Sequence, residues 1–168
     1  ERFGEFPDNL QDYVEWVKTW IIRKKNAGCV ALKIALAYER DLHFEQVTQE
    51  QAERVFRVKE SDITQEDIRY FQNYLFWKIC EIAAELSLPL QCHTGMGQIT
   101  NTNILQLNDV IKSNPETKFV LLHCGFPWLD DLFPMVDGYQ NVYPDLTWVP
   151  LLSYTASNRV LHQLIEMS

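Results

Sequence analysis

"LPLQCHTGMGQ", residues 88–98, is the stretch on which the reading of this chain turns. A short apolar run opens after Pro89, stops at His93 and gives way to a loop holding Gly95 and Gly97. Further on, "KFVLLHCGFP" (118–127) repeats the pattern, with His123 ending the run and Gly125 in the loop. The thirty residues between the two histidines match one strand–helix–strand unit. In α/β folds the carboxyl ends of parallel strands form the rim where active sites lie. Neighbouring strands are about 4.8 Å apart, so two imidazoles on that rim could share one ion at about 2.1 Å. Taken singly, each histidine reads first as a strand-end residue satisfied by backbone. Two at matching places, each before a loop with glycine, favour a shared functional site.

Strand alternation extends the reading. Gln91 and His93 share one face of the first run, opposite Leu90 and Cys92. In the second, Phe119, Leu121 and His123 share a face, opposite Val120, Leu122 and Cys124. With both histidines inward, Cys92 and Cys124 fall outward under the helices, as small core residues and not ligands.

Working outward, strand and helix alternate. "DNLQDYVEWVKTWIIRKKNAG" (8–28) is a helix with an Asp/Asn cap and a stop at Gly28. "CVALKIALAY" (29–38) reads as a strand buried on both faces. Thr48 and Gln51 form a capping box for a short helix. "TQEDIRYFQNYLFWKICEIAAELS" (64–87) is the strongest helix, with Ile68, Phe71, Leu75, Ile79, Ile82 and Leu86 as its expected buried stripe. Helices follow at 103–114, 127–139 and 157–167, with a last strand "NVYPDLT" (141–147). Pro144 removes a ladder donor there, so a bulge or a strand end is expected. Four strands alternating with helices imply an α/β protein with a parallel sheet.

Composition narrows the function. The 168 residues carry 23 Asp and Glu against 15 Lys and Arg, a net charge of -8. The basic residues form no stripe, which argues against nucleic acid and an anionic membrane surface. No apolar run approaches a membrane span. The four cysteines show no paired spacing and read as reduced thiols of a cytoplasmic protein. No signal peptide is visible and the chain opens at Glu1 without Met, so the segment is expected to belong to a longer protein.

Three further residues are candidates. Lys33 lies in the first strand between Ala31 and Ala35, which leave space on its face. An inward lysine needs a partner, either a ligand or a structural carboxylate. Arg40, after that strand, suits carboxylate recognition or simple solvation. Asp145 could orient a ligand histidine or cap the next segment.

The stretches "ALKIALAYERDL", "LPLQCHTGMG", "FVLLHCGFPW" and "NVYPDLTW" together resemble the amidohydrolase superfamily of metal-dependent TIM-barrel enzymes, closest to its "amidohydrolase 2" branch. The resemblance implies a portion of a (β/α)8 barrel, about strands 4–7, forming one partial domain over 1–168. It lacks the first strands, with their His-x-His motif, and the eighth strand with its Asp. A closed barrel of this kind needs about 250 residues. The resemblance further implies that His93 and His123 are metal ligands, with His123 catalytic, that Lys33 and Arg40 bind substrate, and that Asp145 supports a ligand. A divalent ion, zinc by expectation, would activate a water against a small carboxylate-bearing substrate. A decarboxylase or isomerase on the same scaffold, or a non-catalytic module, are the competing readings. The expected partner is a small molecule, and a homo-oligomer is compatible with the sequence.

Overall fold

The computed structural model describes residues 6–98 and 101–167. The chain forms two compact units. One comprises the chain through Val30 together with Phe44–Ile82; the other comprises Ala31–His43 and the chain from Ala83 onward.

The first unit is helical. Helix α1 (Leu10–Asn26) is capped by Asn9, whose side chain accepts from the Asp12 amide, and the chain turns away at Gly28 with φ +100°. Helix α2 (Gln49–Arg57) starts at the Thr48/Gln51 capping box. Helix α3 (Gln65–Glu85) starts where Thr64 and Asp67 cap each other, the Asp67 amide donating to Thr64 Oγ1 at 3.1 Å. Tyr13 packs edge-on to Phe71 at 5.4 Å, and Phe44 stacks on Phe76 at 3.9 Å. The most deeply buried stripe of α3 is Asn73, Phe76, Cys80 and Ala83, at spacings of three and four. The stripe expected from hydrophobicity is only half-buried except at Ile82. Large side chains flank the line of closest packing, and smaller ones occupy much of it.

The second unit carries the sheet. Strands β1 (Leu32–Ile34), β2 (Leu90–His93), β3 (Phe119–Leu122) and β4 (Val142–Asp145) pair in parallel, in the order β1-β2-β3-β4. This is the sequential parallel arrangement expected. The first strand is shorter than its apolar run: the chain leaves it after Ile34 and turns through a 3-10 helix, Leu36–Tyr38. Pro144 is tolerated because it lies next to the end of an edge strand of this sheet. Between the strands run α4 (Asn108–Ser113) and α5 (Leu132–Gly138), each preceded by a 3-10 turn; α6 (Val149–Leu152) and α7 (Tyr154–Met167) follow β4.

Register fixes the two faces. Leu90, Cys92, Phe119, Leu121 and Val142 lie on one face and are buried. Lys33, Gln91, Val120 and Tyr143 form a cross-strand row on the other, where Lys33 and Tyr143 are exposed. In a closed barrel such a face lines the interior. Among the described residues no helix is long and apolar enough to cross a membrane.

Candidate functional site

His93 is the last residue of β2 and falls on the Gln91 face by simple alternation. His123 does not reach that face by alternation. In the register His93 pairs with Leu122, so Phe119 and Leu121 belong to the buried face, with Leu90 and Cys92. Continued as a strand, His123 would point with them, away from His93. The chain instead leaves strand geometry: His123, Cys124 and Gly125 have φ of 66°, 51° and 71°. Left-handed backbone is uncommon for histidine and cysteine. The turn carries the His123 ring back across the carboxyl end of the sheet to the His93 side, which corrects the alternation expected for β3. The ring centroids lie 4.6 Å apart at 71°, and His123 Nε2 is 3.3 Å from His93 Nδ1. Both residues are buried.

The outer nitrogens assign the protons. His93 Nε2 lies 2.9 Å from the Met96 carbonyl, and His123 Nδ1 lies 2.7 Å from the Thr147 carbonyl. A carbonyl only accepts, so both nitrogens carry hydrogen. In the neutral rings His93 Nδ1 and His123 Nε2 are then two lone pairs facing each other. A cation between them, either a proton or a metal ion, resolves the repulsion. Two nitrogens at about 2.0–2.1 Å from a tetrahedral ion are about 3.3–3.4 Å apart, the separation seen here. A ligand imidazole whose second N–H is held by a backbone carbonyl is the usual metal-site pattern. Burial pushes the His93 pKa below its ordinary value. The Met96 carbonyl opposes this, and the charges of His123 and Lys33 add to the lowering. A neutral ring is the form that binds metal. Among the described residues no group of three or more His, Cys, Asp or Glu could hold a metal ion. The donor set among the described residues is therefore the imidazole pair.

The loops around the pair are stitched together. Thr94 Oγ1 donates to Leu122 O at 2.6 Å and accepts from Gly125 N at 3.1 Å, tying the end of β2 to the turn at His123. Gly95 packs against the Phe126 carbonyl and Gly97 against the Ala37 carbonyl, both too close for a Cβ. Met96 N donates to Phe126 O at 3.2 Å and Gln98 N to Ala37 O at 3.1 Å. The glycines after His93 thus allow one loop to wedge between its neighbours.

The other candidates divide. Lys33 shares the His93 face of the sheet, and its charge is felt at His93. Arg40 turns to its own loop: Nε donates to Asp41 O at 3.2 Å and Nη2 to His43 O at 2.9 Å. The Asp145 carboxylate accepts from Thr147 N at 2.8 Å, not from His123. It acts one step back, holding the backbone N–H of Thr147, the residue whose carbonyl takes the His123 N–H. Cys92 is buried on the far face, and its thiol is pushed up to about 12 by burial. Cys124 Sγ donates to Asp145 O at 3.3 Å, and burial likewise pushes its thiol up to about 12. Sequence reasoning missed Tyr38, whose ring lies 4.4 Å from that of His93, and the two carbonyl partners. Backbone acceptors leave no trace in residue type; Tyr38 would have needed the 3-10 turn to be foreseen.

Comparisons with known proteins bear on the family and the fold. The family described as Amidohydrolase matches residues 19–166. Protein fluG of Emericella nidulans is 36% identical over 84 residues, covering 47% of this chain and 10% of that protein. The crystal structure of a Lactobacillus casei protein described as a metal-dependent hydrolase superposes with a TM-score of 0.79 at 24% identity, covering 96% of this chain and 45% of that one. Uronate isomerase of Thermotoga maritima gives 0.73 at 17% identity, covering 96% and 40%. The chain thus spans a tenth of the curated relative and under half of either solved structure. The structural likeness establishes a mixed α/β fold with a parallel sheet, of TIM-barrel-like kind.

Proposed function

Because the chain belongs to the amidohydrolase family, in its amidohydrolase 2 branch, we propose that it carries part of the active site of a metal-dependent hydrolase acting on a small carboxylate-bearing substrate. The observation that carries the reading is the pair of inward lone pairs on His93 and His123, 3.3 Å apart, with both outer nitrogens engaged by carbonyls. These two residues would hold the ion, and zinc suits imidazole donors. Such an ion supplies Lewis acidity toward a carbonyl and makes a water a nucleophile near neutral pH.

The chain's own residues prepare that chemistry. The Met96 and Thr147 carbonyls fix both tautomers, so each ring offers its inner nitrogen. Asp145 secures Thr147 through its backbone N–H. Lys33, on the same sheet face, offers positive charge to a substrate carboxylate. Arg40 contributes from the adjoining loop, where its guanidinium also bridges Asp41 and His43. The partner is a small molecule, and the four cysteines, none in a disulfide, suit a cytoplasmic protein.

Metal analysis tests the assignment. The protein is expected to retain a divalent ion that a His93→Ala, His123→Ala double variant loses. Unchanged metal stoichiometry in the double variant would overturn it. Product analysis on a panel of small acids separates hydrolysis from decarboxylation or isomerisation on the same residues. Carbon dioxide released without hydrolysis would replace the hydrolase reading with a lyase.

A further inference from the structure

We propose that Tyr38 is a positioning residue for His93, its ring holding the imidazole in the orientation that turns Nδ1 toward His123. The inference rests on the reading of the histidine pair as metal ligands. Tyr38 ends the 3-10 turn after β1 and is 60% exposed, yet the imidazole beside it is only 3% exposed. The ring centroids are 4.4 Å apart at 45°. Aromatic contacts of this kind are directional as well as apolar.

The platform beneath Tyr38 is fixed. Ala37 is fully buried, and its carbonyl accepts from Gln98 N at 3.1 Å. Gly97 approaches that same carbonyl too closely for any side chain. The loop that anchors the Tyr38 turn is therefore the loop that supplies the Met96 carbonyl to His93 Nε2 at 2.9 Å. One loop sets both constraints on the imidazole. The carbonyl fixes the edge of the ring and its tautomer, and Tyr38 limits tilt of its face. His123 approaches the remaining edge. The contact is made by the aromatic ring, so phenylalanine should replace tyrosine without loss, whereas leucine should not.

The experiment measures zinc affinity of the protein by chelator competition for wild type, Tyr38→Phe, Tyr38→Leu and the control Tyr143→Leu, with histidine nitrogen NMR on the metal-free samples. Tyr143 is also exposed, on the same sheet face. Expected results are about tenfold weaker zinc binding in Tyr38→Leu, with wild-type affinity in Tyr38→Phe and Tyr143→Leu. In metal-free Tyr38→Leu the freed ring should tilt off the Met96 carbonyl, so the His93 signals should shift from the fixed Nε2–H tautomer toward an averaged ring. Wild-type affinity in Tyr38→Leu, or equal loss in Tyr38→Phe, would overturn the proposal. If zinc binding is indifferent to His93→Ala, the metal reading fails instead. The NMR comparison then still decides whether Tyr38 holds the ring, since an unchanged tautomer in Tyr38→Leu would overturn that claim by itself.

Discussion

Replacing Gly95 by alanine tests whether the loops around the histidine pair are wedged as described. Gly95 has φ +68°, and a Cβ there would overlap the Phe126 carbonyl oxygen and lie 2.8 Å from Gly125 C and 2.9 Å from Phe126 C. All three contacts are backbone, so no rotamer change relieves them. The left-handed backbone costs alanine about 1–2 kcal/mol. Displacing the Phe126 peptide also breaks the bond from Met96 N, worth about 1 kcal/mol. The expected loss is about 3 kcal/mol or more once overlap is added. Gly28→Ala is the matched control. Gly28 has φ +100° with nothing within 4 Å, so only the backbone penalty of about 1–2 kcal/mol applies. Guanidinium unfolding of both variants gives the comparison, and zinc affinity gives a second readout because the Met96 carbonyl moves with the loop. If Gly95→Ala unfolds at the same denaturant concentration as Gly28→Ala, the wedge is wrong.

Thr94→Val keeps the shape but leaves Leu122 O and Gly125 N without their buried hydroxyl partner. The expected cost is about 2 kcal/mol by chemical denaturation, and a wild-type midpoint would refute the tie. Acid should weaken the metal-free protein through His93. Its folded pKa is lowered from 6.5, so the unfolded chain takes up the proton first as pH falls. The stability from keeping the ring neutral is present above pH 6.5 and is lost as pH falls through the folded value. His93→Gln should flatten that part of the stability–pH curve, and an unchanged slope would refute the linkage. Cys92 and Cys124, with thiols near 12, should resist iodoacetamide at pH 8 until the protein unfolds. Mass spectrometry of labelled peptides checks this, and rapid native labelling of Cys92 would show that its face of the sheet is open.

Much of the scaffold was legible because it is locally determined. Asn9, Thr48 with Gln51, and Thr64 with Asp67 cap helices through contacts three residues apart, which sequence spacing records. The strand ends at His93 and near His123 follow from apolar runs halted by glycine loops. What sequence could not show was set by tertiary packing. The His123 ring reaches His93 only because its backbone is left-handed, and nothing in the residue type announces that. The α3 stripe was misplaced because buried Asn73 and Cys80 are not the residues hydrophobicity selects. For Asp145 the sequence leaves two readings open, a partner for a histidine or a cap on the next segment; its carboxylate takes the Thr147 N–H, while the Thr147 carbonyl takes that of His123.

The central claim is that His93 and His123 bind one ion through their inner nitrogens. X-ray absorption at the zinc edge counts imidazole ligands directly. The zinc-loaded protein should show scattering from at least two imidazoles, and His93→Ala and His123→Ala should each lose one. An imidazole count that is the same in wild type and in both variants would contradict the account.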